Sequence, residues 1–191
     1  MKLDQVQAVV DRVKRFSSSL DSKVGDGFNY SYQFDDGSEC LYTINGVKSP
    51  EVIEDVVTTM FVWLWSLKDY IKKYASAHSK TGRWVEDKIN LNSELCICAD
   101  IANGLKHGGL GAGFTPRSSL GPSLGKVRYT FPQQSIASLT FGASSVGFDI
   151  TQAENVVLEV PVYDKAGNKI DDAFNLVSKI VDSWERMLSA V

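Results

Sequence analysis

The sequence predicts an α+β fold, a core of four to five helices carrying antiparallel β-hairpins or a small sheet. Three observations predict it. Apolar residues recur at helical spacing near both chain ends and through 50–110, aromatic residues alternate with polar ones over 28–45, and strand-like runs separated by turn residues fill 126–163. The 191 residues are read as one domain, 1–191. Its helical core lies at about 50–110 plus 171–190, and its β-rich segments at about 28–45 and 126–163.

In order along the chain, Leu3, Val6, Val10, Val13 and Leu20 mark an amphipathic first helix. Phe28, Tyr30, Tyr32 and Phe34 alternate with polar residues, Asp35-Asp36-Gly37-Ser38 supplies a turn, and Cys40, Tyr42 and Ile44 alternate again before Asn45-Gly46. Ser49-Pro50-Glu51 is a helix start, with a capping hydroxyl, proline at the first helical position and an acid in the first turn. The stripe Ile53, Val57, Met60, Leu64, Leu67, Ile71 and Tyr74 carries that helix to about Tyr74, and Phe61, Val62 and Trp65 on its other side mark it as central. A short helix around 84–89 and another from Asn92 or Ser93 to Gly108-Gly109 follow. Residues 108–125 read as loop only. Strand-like runs cover 126–131, 138–141 continuing to 150, and 156–163, and their signals permit one sheet with the first hairpin. The last helix spans roughly 171–190, with Phe174, Val177, Ile180, Val181, Trp184 and Leu188 inward.

Composition excludes several classes. With 43% hydrophobic and 23% charged residues the chain is neither disordered nor fibrous. No apolar run reaches the ~18–20 residues of a membrane span, and Met1-Lys2-Leu3-Asp4-Gln5 has no apolar leader core. Three cysteines, Cys40, Cys96 and Cys98, form no disulfide framework and point to a reducing cytoplasm. On a helix, Cys96 and Cys98 diverge, so they read as small buried hydrophobes and no metal or cofactor is expected. Two glycine motifs fail on context: 109–113 leaves a helix rather than a strand, and 121–126 is one residue short of a phosphate loop.

The helix ending at Gly108 carries Asp100, Asn103 and His107 at spacings of three and four, opposite Leu91, Leu95, Cys98, Ala102 and Leu105. An acid, an amide and an imidazole on one accessible wall suit proton transfer near neutral pH. The bland reading is an ordinary polar stripe with an exposed histidine. Between Asp100 and Asp149, 48 residues contain no acid but include Lys106, Arg117, Lys126 and Arg128, a local +4 in a chain of net −3. Such a basic segment suits RNA or a phosphate-bearing ligand, with Arg117, Lys126 and Arg128 as its contacts.

A central helix, then a helix bearing Asn103-x-x-x-His107, then a glycine-rich exit resembles the helical HEPN domains. The Asp-x-x-Asn-x-x-Lys-His string also resembles one in uncharacterised bacterial proteins. The HEPN resemblance covers about 50–110. It implies a metal-independent ribonuclease of toxin–antitoxin or defence systems, acting as a homodimer with the motif at the interface. His107 then corresponds to the general acid or base and Asn103 to the substrate-orienting residue. Position 102, where the family commonly has arginine, is Ala102, so charge stabilisation falls to Lys106 or Arg117. Asp100, or Asp69 on the neighbouring helix, would set the imidazole, although Asp69 also reads as a solvated residue near a helix end.

The competing reading is a non-catalytic interaction protein, immunity- or antitoxin-like or a defence accessory, with a protein partner. In it Phe28, Tyr30, Tyr32, Phe34 and Tyr42 form a contact surface. Packing alone expects those rings to cover the helical core, because an isolated hairpin is unstable.

Overall fold

A computed structural model describes residues 2–109 and 115–191, so part of the expected glycine-rich loop, 110–114, lies outside the described residues. The described elements run α1 (Leu3–Ser18), β1 (Phe28–Gln33), β2 (Glu39–Asn45), α2 (Pro50–Ala77), α3 (Gly82–Asn90), α4 (Ser93–His107), β3 (Ser123–Leu124), β4 (Arg128–Thr130), β5 (Ile136–Phe141), β6 (Ser145–Ile150), β7 (Val157–Glu159), β8 (Pro161–Tyr163), β9 (Lys169–Asp172) and α5 (Ala173–Ser189). The fold is α+β. No described helix is long and apolar enough to cross a membrane. The backbone divides into two compact units, one of Met1–Ser17, Val56–Lys126 and Val160–Val191, the other of Ser18–Asp55 and Val127–Glu159.

The first unit is helical. Val6, Val9, Val10 and Val13 bury one face of α1, and the Arg12 guanidinium lies 4.3 Å from the Trp63 ring of α2. Along α2, Met60, Phe61, Leu64, Trp65, Leu67 and Ile71 are buried, as expected of a central helix. Local chemistry sets the limits of α4. The Asn92 side chain accepts the Leu95 N–H at 2.9 Å, and Gly108 ends the helix in the left-handed region at φ 71°. Asp172 caps α5 by accepting the Phe174 N–H. A three-stranded sheet, β3-β8-β9, belongs to this unit. Two of its strands differ from expectation. The stretch read as loop holds β3, and Lys169–Asp172, read partly as the start of the last helix, pairs with β8 because Asp172 serves as the cap instead of the first turn.

The second unit is a four-stranded sheet, β1-β2-β6-β5, with a separate β4-β7 ribbon. Both hairpins are antiparallel, and β2 joins β6 in parallel register, Tyr42 beside Val146 and Ile44 beside Phe148. The two β-rich segments therefore do share a sheet. The run 138–150 is a hairpin, turned where the Gly142 N–H meets the Ser145 carbonyl at 2.8 Å. Gly46 has φ +88°, and a Cβ there would stand 2.1 Å from the Ile150 carbonyl oxygen, so the chain leaves β2 only through glycine. The core of this unit is small: Ile44, Val47, Ile150, Ala153 and Val156, with Phe28, Tyr129 and Phe148 packed against it.

Candidate functional site

The expected polar wall of α4 is not one surface. Leu95, Cys96, Cys98, Ala99, Asp100, Ile101 and Ala102 are all buried, so the middle of the helix is enclosed on nearly every side. Asp100 is fully buried. Its Oδ1 accepts the Arg117 N–H at 2.8 Å, and its Oδ2 accepts both the N–H and the hydroxyl of Ser118, at 2.9 and 2.5 Å. Three donors satisfy this carboxylate, which pins the chain to α4 beyond 110–114. Asp100 is thus a structural anchor rather than an accessible orienting acid. Asn103 is half-buried, and Lys106 and His107 are exposed in the last turn.

Arg117 is not an open cation. The Arg117 guanidinium donates to Glu86 at 2.7 Å and to Asn90 at 3.2 Å, and lies 5.3 Å from the Trp65 ring. Lys72 pairs with the same Glu86. Burial raises the Glu86 carboxyl, but hydrogen bonds from Lys72 and Arg117 outweigh it and hold the group below the usual carboxylate range. Lys126 is exposed, while Arg128 stands opposite Glu159 across the β4-β7 ribbon. Asp69 is exposed on α2, 4.0 Å from Lys68. A groove of about 440 Å³ beside the end of α4 is lined by Ile101, Leu105, Pro122 and Leu124 together with glycine backbone, and no cation is among its described lining residues.

The two α4 thiols diverge as expected. Cys96 Sγ reaches the Ile89 carbonyl of α3 and Cys98 Sγ the Phe61 carbonyl of α2, and burial pushes both thiols up.

The sheet presents a different kind of site. Directly paired residues share a face, so Phe28, Tyr30, Tyr32, Cys40, Tyr42, Ile44, Val146, Phe148, Leu139 and Phe141 all project to one side. The opposite side carries Asn29, Ser31, Thr43, Asp149, Ser138 and Thr140, with Leu41 as its apolar exception. One end of the apolar face, at Phe28, Ile44, Phe148 and Ile150, closes over the small core. The other end is open. Tyr30 is 52% exposed, Tyr32 45%, Phe34 43% and Phe141 76%; Leu139, beside Phe148 on the edge strand, is exposed as well.

The open rings are mutually arranged. Tyr32 and Phe34 meet edge to face with centroids 4.9 Å apart, and Tyr30 lies 6.0 Å from Tyr42. The Tyr42 phenol is pushed up, chiefly through its hydrogen bond with the Cys40 thiol. In the β1-β2 turn, Asp36 accepts the N–H and hydroxyl of Ser38, which lowers the Asp36 carboxyl and fixes the hairpin end beside these rings. Of the five hairpin aromatics singled out from sequence, Phe28 and Tyr42 pack against the sheet's small core, whereas Tyr30, Tyr32 and Phe34 are exposed. Leu139, Phe141 and Val146 extend the surface. Sequence reasoning missed their membership because it depends on the parallel pairing of β2 with β6, about a hundred residues apart.

No family model matches the chain, and no curated protein and no solved structure is significantly similar to it.

Proposed function

We propose that this chain is a non-catalytic interaction protein that works through the open aromatic half of its four-stranded sheet. The observation that supports this reading is the set Tyr30, Tyr32, Phe34 and Phe141, exposed on the end of one sheet face that the sheet's small core leaves open. A contiguous apolar patch rimmed by polar residues marks interaction surfaces, and tyrosine supplies large contact area at low entropic cost. The test is selection of displayed fragments, drawn from the genome that encodes the chain, on wild-type protein, with counter-selection on a Tyr30→Ser/Tyr32→Ser/Phe141→Ser variant. Fragments retained by the wild type alone support the reading; none dependent on the face overturns it.

A second reading keeps the HEPN-like nuclease. It is supported by exposed Lys106 and His107 one turn beyond Asn103. Without Asp100 as orienting acid it rests on those three residues, with RNA as substrate. RNA cleavage lost in His107→Ala, by protein of unchanged fold, supports it; no cleavage, or equal cleavage, removes it.

A further inference from the structure

The charge of the sheet-bearing unit bears on what its face binds. Ser18–Asp55 and Val127–Glu159 together hold eleven Asp and Glu against three Lys and Arg, a formal −8. The remaining residues hold twelve acids against seventeen bases, a formal +5. A net −3 chain therefore conceals a strong local asymmetry, and the aromatic face belongs to its acidic part.

The three cations of that unit are engaged locally. The Lys23 amine donates to the carbonyls of Glu154 and Val156, and the Lys48 amine to those of Ser19 and Ser22. Arg128 stands opposite Glu159. Backbone carbonyls carry no formal charge, so the first two contacts consume the amines' donors without neutralising an acid. Of the acids at this sheet, Asp36 in the turn beside the open rings is held by Ser38 and Asp35 is exposed, while Glu39, paired with Gln33, and Asp149, met by Ser138 and Asn45, lie on the reverse face.

From this we infer that the open aromatic face docks a lysine- or arginine-rich polypeptide segment; the inference rests on the interaction reading above and names its partner's chemistry. Ring faces of Tyr30, Tyr32 and Phe34 attract cations through their quadrupoles. The −8 field raises the local concentration of basic segments and speeds their encounter. Long arginine and lysine stems also cover apolar surface while their heads reach the rim acids. The same field repels nucleic acid. It also opposes face-to-face pairing of two copies, which would bring −8 against −8.

The experiment measures binding of short labelled Arg-Ser, Gln-Ser and Glu-Ser repeat peptides by fluorescence polarisation. The proteins are wild type, Tyr30→Ala/Tyr32→Ala, and Asp35→Asn/Asp36→Asn, each checked by circular dichroism. The Arg-Ser peptide is expected to bind wild type at least about tenfold more tightly than the Gln-Ser peptide, with the advantage shrinking as salt rises and lost in either variant. Equal binding of the three peptides, or Arg-Ser binding unaffected by the tyrosine variant, overturns the inference. So does face-dependent binding of a labelled single-stranded RNA, or self-association by sedimentation that the tyrosine variant abolishes. Face-dependent genomic fragments without enriched lysine or arginine also refute the cationic partner while leaving the interaction reading intact. Absence of any face-dependent fragment refutes both.

Discussion

The buried carboxylate of Asp100 holds Ser118 twice, through its backbone N–H and through its hydroxyl. Together with the Arg117 N–H on the other oxygen, this fastens the chain beyond 110–114 to the middle of α4. Asp100→Asn keeps the shape but turns an NH₂ group toward N–H donors. The expected cost is about 2–4 kcal/mol in urea unfolding, because buried donors lose their acceptor. His107→Ala, on the exposed last turn, should change stability by no more than about 0.5 kcal/mol. Equal costs would contradict the structural role of Asp100.

The Glu86 carboxylate links α3 to α2 through Lys72 and to Arg117. Because its folded value is depressed, its contribution is fully present above the ordinary value of about 4.3 and disappears as pH falls through the folded value. The stability gap between wild type and Glu86→Gln should therefore stay constant from neutral pH to about 5 and close below about 4. Urea midpoints across that range check it. A gap that widens on acidification has the wrong sign.

Gly46 turns the chain out of β2 where an added Cβ would meet the Ile150 carbonyl. Gly46→Ala forces a left-handed alanine into backbone and should cost about 2 kcal/mol or more, whereas Gly37→Ala, at φ +83° but with open space around it, should cost about 1 kcal/mol. Thermal unfolding of the two variants measures the difference, and parity would place the strain in the dihedral alone.

Cys40 is partly exposed among the open rings, while Cys96 and Cys98 are buried and their thiols are pushed up. Native protein should react with a thiol reagent at Cys40 alone, and all three cysteines should react after denaturation. Rapid native labelling of Cys96 or Cys98 would show that the α4 core opens.

Much of this architecture was legible locally. Asn92 and Gly108 bound α4 because caps are short-range chemistry, and Asp35-Asp36-Gly37-Ser38 marked the first hairpin for the same reason. What escaped was non-local. A helical wheel gives the spacing of Asp100, Asn103 and His107 but not what covers them, and the partners of Asp100 lie 17 and 18 residues ahead. Leu91, assigned to the apolar side of the same wheel, stands outside α4 and is exposed. The +4 run from Asp100 to Asp149 proved to be spread over both units, with Arg117 spent on Glu86. The aromatic alternation of β1 was visible, but not that its outer rings would lie open.

Open rings that serve binding should contribute little to folding. Tyr30→Ser/Tyr32→Ser is expected to lower stability by no more than about 1 kcal/mol, against about 3–5 kcal/mol for Phe61→Ala in the helical core. Chemical denaturation compares the two.

The most direct measurement is calorimetric titration of one face-selected fragment into wild type and into Tyr30→Ser/Tyr32→Ser/Phe141→Ser, with the melting temperature of each recorded beside it. The account predicts that affinity falls by at least about a hundredfold, as for loss of clustered aromatic anchors, while the melting temperature holds. Undiminished affinity in the variant, or a variant that no longer folds, would contradict the claim that these rings are displayed for a partner rather than kept for the fold.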